Sequence, residues 1–325
     1  TEEQVTNHQQ AILKLINELK RDLNMTNGDF IICAEHTGQY TYPLICVCKS
    51  IDCKLWLENP TQIKYCSGLT RGKNDKVDAK RIAIYASRFC DQAVCYKRPS
   101  EELTRLNQLE AERTLYLVDL SKYKAQLTDQ KDFMPKALYK DKSSRLKMLI
   151  KSLEQVLKAI EDEINRIIES TKILSRQMDL LTSIDGIGRV VAMNMIIATE
   201  AFTRFDNPRQ FCCYAGVAPF AYTSGSSQHS KNRVSQRACK YATFLYTYRV
   251  SQRACKYIKT LLHMSAVAIT HRKSGELKAY YERKVDEGKN KMTIINALRA
   301  KLVARMFAVI KRDEFYSPIL LENFC

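Results

Sequence analysis

The sequence predicts three parts: an α/β part at the start, a long-helix arm in the middle and a mostly α-helical part at the end. Three observations predict it. Short apolar runs alternate with helical patterns over the first hundred residues. A stretch from Glu101 to about Leu181 holds no Gly, a single Pro and regularly spaced Leu and Ile. Beyond it, Gly-containing turns separate apolar helical runs. The boundaries fall at 1–100, 101–179 and 180–325.

Residues 1–20 read as an amphipathic helix, with Val5, Ile12, Leu13, Leu15, Ile16 and Leu19 broadly on one side. The run Asp29–Ala34 follows Asn27-Gly28 and reads as a buried strand, with Glu35 directly at its carboxyl end. Residues 42–50 are expected to be helical. Lys54–Leu57 is expected to be a second strand that ends at Asn59-Pro60, with Trp56 in the core. Residues 75–90 are expected to form a helix. Helices alternating with apolar strands make an α/β domain.

The middle part spaces Leu103, Leu106 and Leu109, then Leu146 through Ile168, among dense charge. Two long helices broken near Lys131–Pro135 fit this pattern, as an antiparallel coiled-coil arm or as part of a plain bundle. The third part opens with Ile184-Asp-Gly-Ile-Gly188, a helix-hairpin-helix-like turn before an apolar helix from Val190 to Ala198. Such a turn presents backbone N–H groups at a helix N-terminus, which suits a DNA phosphate. Gly186 and Gly188 are therefore candidate nucleic-acid contacts, although Gly turns between helices also serve structure alone.

The 325 residues carry a formal net charge of +17, from 52 Lys and Arg against 35 Asp and Glu. That excess favours a polyanionic partner, because neutralising phosphates releases counterions. There is no apolar run long enough for a membrane span and no secretory signal. The 12 Cys show no zinc-type pairing, so they are expected to be buried, reduced thiols, and a structural zinc is not expected.

A nine-residue segment occurs twice. Arg233–Tyr241 and Arg249–Tyr257 are identical at an offset of 16 residues. Sixteen residues rotate a helix by about 160° net, so one straight helix cannot present both copies on the same face. Two copies are too few for a solenoid, which leaves a local tandem duplication.

Several residues carry chemistry. Asp75 and Asp78, spaced i, i+3, share one helical face. Like charges that close repel unless a cation lies between them. With Glu35, they are candidate ligands for Mg²⁺, a hard ion that prefers oxygen. The same spacing also suits an ordinary solvated helix start, where acids favour the dipole. Ser224, in Ser-Gly-Ser-Ser, is a weak nucleophile that needs activation. Lys231, Arg233 and Arg237 follow it and are placed to stabilise charge on an attacked phosphate; the alternative is a flexible loop. His36 reads as a packing or hydrogen-bonding residue. Tyr222 is equally suited to DNA contact and to packing.

The stretch from Glu58 to Lys64, then Gly68 to Ala83, closely resembles the N-terminal domain of DEDD insertion-sequence transposases, and Ala34–Tyr40 resembles that family's second acidic motif. Downstream, Leu181–Gly188, Arg204-Phe205, Arg209–Phe211, Tyr214–Pro219 and Thr223–Ser227 follow the family's C-terminal domain in order and spacing. Asp185 stands where the family usually has Pro. The resemblance implies a RuvC-like, ribonuclease H-like fold for the N-terminal domain. It matches Glu35, Asp75 and Asp78 to the second, third and fourth acids of the tetrad, and Ser224 to the catalytic serine. Arg71 and Lys73, inside the matched stretch, are candidate nucleic-acid contacts.

The first acid has no match, since Thr1 aligns just beyond the family's opening strands. A truncated N-terminal domain with an exposed sheet edge is therefore expected. The second copy of the duplicated segment leads into an apolar helix as in the family, so the first copy with its tail to Tyr248 is read as the insertion. It would displace Ser224 from its basic partners and weaken the enzyme.

The resemblance implies a DNA transposase/recombinase with a covalent phosphoserine intermediate. It also implies a dimer or tetramer, a structured noncoding RNA partner, and a bacterial-type cytoplasmic, nucleoid-associated location. Two alternatives stand: a metal-dependent RuvC-like endonuclease that hydrolyses DNA, and a non-catalytic DNA- or RNA-binding remnant.

Overall fold

The computed structural model describes residues 3–66, 74–220, 223–224, 228–229, 233–234 and 255–317. The chain divides into two compact units, one of Thr1–Arg98 and one of Pro99–Ala238 with Cys255–Cys325. No helix among the described residues is long and apolar enough to cross a membrane.

In the first unit, α1 (Gln9–Leu23) starts later than the apolar pattern suggests. Ile12 and Ile16 are buried, Leu13 and Leu15 half-buried, while Val5 precedes the helix and Leu19 is exposed. The buried pair packs with Val47 of α2 (Tyr42–Ser50), Phe30 and Ile32. Strands β1 (Ile31–Glu35) and β2 (Lys54–Glu58) pair in parallel, with Glu35 opposite Glu58. A parallel pair needs a crossover, and α2 supplies it.

The expectation of a buried first strand is corrected here. All five residues of β1 are half-buried, whereas Leu55, Trp56 and Leu57 of β2 are at most 5% exposed. The difference lies in what each strand supports. Leu55 and Leu57 close one core with Cys48, and Trp56 closes the other with Ile63 of α3 (Pro60–Cys66) and Tyr85 of α4 (Asp75–Arg88). Burying one large apolar side chain of this kind contributes about 1.5–3 kcal/mol.

The second unit opens with α5 (Glu101–Asp129) and α6 (Lys136–Ser170), joined across Gln130–Pro135 near the predicted break. The ion pairs Arg105–Glu163, Arg113–Glu161 and Lys124–Glu154 pair rising numbers with falling ones, so the helices run antiparallel. Leu120, Ile150 and Leu157 form the seam between them. Ser100 caps α5 by accepting from the Leu103 N–H at 3.2 Å.

Then follow α7 (Lys172–Thr182), α8 (Arg189–Thr199) and α9 (Pro208–Tyr214). Short strands β3 (Pro219–Phe220), β4 (Thr223–Ser224), β5 (Gln228–His229) and β6 (Arg233–Val234) make two antiparallel pairs, β3 with β6 and β4 with β5. Helices α10 (Lys256–Thr270), α11 (Glu276–Asp286) and α12 (Lys291–Arg312) complete the unit. Its core includes Leu181, Phe211, Ile258, Leu262, Leu298 and Met306, none more than 1% exposed.

The described cysteines form no disulfide with one another, but their expected burial holds only in part. Cys48, Cys212 and Cys255 are buried, while Cys90 and Cys95 are exposed. The exposed pair lies in the connection between α4 and α5.

Candidate functional site

Two acidic residues stand together at one end of the small sheet. Glu35 and Glu58 are the last residues of adjacent parallel strands and stand directly opposite each other. In open α/β sheets, ligands bind outside the carboxyl ends of the strands. Helix α4 packs on this sheet through Ile82, Tyr85 and Ala86, with Phe89 just beyond, against Ile31, Cys33 and Trp56. At helical geometry, Asp75 and Asp78 fall within the same arc of about 100° as those packing residues. Both acids therefore extend the sheet-facing side of α4 from its first turn.

Asn74 begins that helix by accepting from the Lys76 N–H at 3.0 Å. Asp75 is exposed and Asp78 half-buried. Asp78 holds Arg81 at 2.7 Å. Asp78 also precedes Tyr85 by seven residues, about 10 Å of helix, and it is Tyr85 that reaches the strand ends. Among the described residues, no group of three or more His, Cys, Asp and Glu is close enough to hold a metal ion. The three predicted ligands thus share one sheet end and one helix face without forming a ready-made cluster.

Glu58 went unassigned in the sequence reading. Its Oε2 accepts from Trp56 Nε1 at 3.1 Å and Tyr85 Oη at 3.2 Å, and its Oε1 accepts from the Asn59 N–H at 2.6 Å. Burial and the neighbouring Glu58 charge push the Tyr85 phenol up to about 12. Glu58 is a carboxylate held in place by Trp56, Tyr85 and the Asn59 N–H, among the described residues. The equal lengths of two adjacent strands, each ending in Glu, were the signal for it. The backbone N–H of His36 donates to the Glu58 carbonyl at 2.8 Å, which extends the strand pairing by one step. Trp56 is core, as expected.

In the second unit, Ser224 lies in β4 opposite Gln228, inside the outer pair of Phe220 with Arg233. Ser224 and Arg233 thus lie on two separate antiparallel pairs, the first nested within the second in sequence order. Arg71, Lys73, Tyr222, Lys231 and Arg237 lie outside the described residues.

The two glycines of the turn after α7 have different surroundings. Gly186 has φ +86°, and a Cβ there would meet Ile269 Cγ1 at 2.7 Å and the Ser265 carbonyl at 3.2 Å. Its glycine is required by close approach to α10. Gly188 is exposed, caps α8 in extended conformation and would meet nothing within 4 Å.

A cluster of basic side chains on α10 and α12 was also missed. Arg299 of α12 is buried, and its Nη2 meets Nδ1 of His263 on α10 at 2.6 Å. Asn296, one turn before Arg299, donates to the Val217 carbonyl at 3.0 Å, just ahead of β3. Burial and the Arg299 charge lower both the His263 imidazole and the Lys259 ammonium.

Comparison with known proteins accords with this arrangement. Residues 1–135 match the DEDD transposase model of the IS110 type, described as "Transposase", and residues 178–247 match the model "Transposase IS116/IS110/IS902 family". The chain is 24% identical to the pilin gene-inverting protein of Moraxella bovis over 319 residues, 98% of this chain and 91% of that protein. The namesake protein of Moraxella lacunata gives the same identity and coverage. An uncharacterized 43.6 kDa protein of insertion element IS110 from Streptomyces coelicolor is 26% identical over 161 residues, 49% of this chain and 34% of that protein. Family models matched in chain order, with relatives aligned along nearly the whole chain, support its place in the IS110 family of DEDD transposases and mark it as an enzyme of the DNA transposase/recombinase class.

Proposed function

We propose that this enzyme cuts and rejoins DNA through Ser224. The observation that carries the reading is the order of parts: an acid-bearing sheet end in the first unit and Ser224 on paired strands in the second, each inside a matched transposase segment. Relatives that invert a pilin gene fit a reaction that exchanges strands rather than hydrolysing them.

In that step the Ser224 hydroxyl oxygen bonds to a backbone phosphorus, and one strand oxygen leaves with the proton. A strand hydroxyl then attacks the phosphoserine, restores a DNA phosphodiester and returns the serine. Each bond broken is replaced by one of the same kind, so no external energy source is needed. Lys231, Arg233 and Arg237 are assigned to the charge on the attacked phosphate, and Arg71, Lys73 and Gly188 to DNA backbone contacts.

DEDD transposases are typically metal-dependent. Glu35, Asp75 and Asp78 are proposed as the acids for Mg²⁺. Because the described geometry does not gather them, no step is routed through the metal. A structured noncoding RNA that pairs with donor and target DNA is proposed as guide, in keeping with the +17 charge. A dimer or tetramer joined through the helical arm of 101–179 fits the exposed apolar Val118 and Met148 on α5 and α6.

The test is covalent trapping. The protein is mixed with element-end DNA, flanking noncoding RNA and Mg²⁺, then run on a denaturing gel beside Ser224→Ala. A protein–DNA adduct lost in the variant supports serine recombination. Cut DNA without adduct assigns hydrolysis, and neither product assigns a binding protein.

A further inference from the structure

Arg299 is 6% exposed, yet among the described residues no carboxylate is its partner. Its Nη1 meets Asn296 Oδ1 at 3.5 Å and its Nη2 meets His263 Nδ1 at 2.6 Å, while its Nε–H is buried with no hydrogen-bond partner among the described residues. A guanidinium can only donate, so His263 accepts at Nδ1 and carries its ring proton on Nε2. That leaves Nε2–H as a second donor on a half-buried ring. Lys259 stands one turn before His263 on α10 and is also half-buried. Two basic groups, His263 in contact and Lys259 within range of its charge, thus flank one buried guanidinium.

The surrounding sequence does not supply a counter-charge. From Asn207 to Gly275 there is no Asp and no Glu, while basic residues recur from Arg209 to Lys273. Ser224 lies within this acid-free stretch. A buried charge without a partner costs several kcal/mol in effective terms. Violations of this kind are expected where a ligand supplies the missing partner. A planar guanidinium with an orphaned Nε–H matches the paired oxygens of a phosphate. The hydrogen bond from Asn296 to the Val217 carbonyl ties this cluster to the chain two residues before β3.

We infer that Lys259, His263 and Arg299 form an anion pocket that holds a DNA phosphodiester beside the strands carrying Ser224. Arg299 is the buried floor, and Lys259 and His263 Nε2–H stand at the mouth. The inference rests on the reading of Ser224 as the residue that attacks DNA, and it adds the group that positions the phosphate.

Fluorescence anisotropy of a labelled 20-base-pair DNA duplex, from about 50 to 300 mM salt, tests it with Lys259→Met, Arg299→Met and the remote control Lys14→Met. Lys259→Met and Arg299→Met are each expected to weaken binding at least tenfold and to reduce the slope of log K against log salt by about one. Lys14→Met leaves both unchanged. Arg299→Met is also expected to melt at the same temperature as the wild type or higher, since it removes an unpaired buried charge. A merely structural arginine would instead lower the melting temperature.

Wild-type affinity and slope in a folded Lys259→Met overturn the pocket, and this variant decides if Arg299→Met does not fold. The same samples go through the trapping assay. Loss of DNA binding in both variants, with no Ser224-dependent adduct in the wild type, keeps the pocket and removes the serine assignment. A normal adduct with unchanged binding in both variants removes the pocket alone.

Discussion

The hydroxyl of Tyr257 donates a 2.8 Å hydrogen bond to Glu110, a carboxylate with no exposed surface. Tyr257 is the last residue of the second copy of the duplicated nine-residue segment, so this bond seats the described end of that copy, Cys255–Tyr257, in the core of its unit. Glu110 also accepts from Asn194 Nδ2 at 2.9 Å and faces Arg113 at 3.7 Å. Burial and Glu110 push the Tyr257 phenol up to about 12. The residues that follow explain why this copy is chosen. Helix α10 buries Ile258, Leu262, Ala266 and Ile269. Sixteen positions earlier stand Ala242, Tyr246, Val250 and Arg253. Seating the first copy would bury a charge where Ile269 now lies.

The two tyrosines should therefore behave differently. Tyr257→Phe leaves a buried carboxylate short of one donor and is expected to destabilise by about 1–3 kcal/mol. Tyr241→Phe is expected to change stability by less than about 0.5 kcal/mol. Urea denaturation of the two variants beside wild type checks this, and equal losses would show that both copies are structurally engaged. Deleting residues 233–248 should leave the melting temperature of the second unit unchanged, because the remaining copy supplies the same Cys-Lys-Tyr.

Gly186 and Gly188 invite a similar contrast. Gly186→Ala places a Cβ within 2.7 Å of Ile269 Cγ1 at a φ of +86°. Strain plus repacking is expected to cost about 2–4 kcal/mol. Gly188→Ala is sterically free, and loss of a Gly N-cap costs at most about 1 kcal/mol. Thermal melts separate the two. If Gly188→Ala weakens DNA binding at unchanged stability, the α8 N-terminus touches backbone phosphate; if binding is unchanged, Gly188 is only a cap.

Much of this was legible in the sequence, and the exceptions have physical causes. The α5–α6 break, β2, α4 and the turn before α8 were readable because period, Pro135 and Asn-Pro punctuation all act locally. The half-burial of β1 was not, because how much of a strand is covered depends on what packs on it from elsewhere in the chain. Asp75 and Asp78 could be placed on one helix face from spacing. Whether they reach Glu35 depends on how far α4 extends past the sheet, which periodicity does not encode. Glu58 and Arg299 were missed for the same reason. Their partners Tyr85 and His263 lie 27 and 36 residues away in sequence.

The thiols should sort by environment. Burial pushes Cys48 up to about 12 and Cys212 up to about 11, so neither supplies thiolate near neutrality. Cys90 and Cys95 are exposed. Among the described cysteines, iodoacetamide at pH 8 is expected to modify Cys90 and Cys95 first, with Cys48 and Cys212 reacting only after unfolding. Peptide mass spectrometry over a time course reads the order. Early modification of Cys48 would mean that the α2–β2 core opens in the native state.

Stability should also depend on pH through His263. Burial, and then the Arg299 charge, hold its folded pKa below the ordinary value of 6.5. The neutral ring is therefore the folded form, and the unfolded chain takes up the proton first as pH falls. Stability from this residue is complete above about pH 7 and is lost as pH drops from 6.5 toward the lower folded pKa. His263→Gln keeps an acceptor for Arg299 but cannot titrate, so its stability should fall less over the same interval. Arg299→Met removes the repelling charge and should raise the His263 pKa, visible in the imidazole C2–H signal by NMR titration. A pH dependence identical in wild type and His263→Gln, with an unmoved imidazole signal in Arg299→Met, would show that the two residues are not electrostatically coupled.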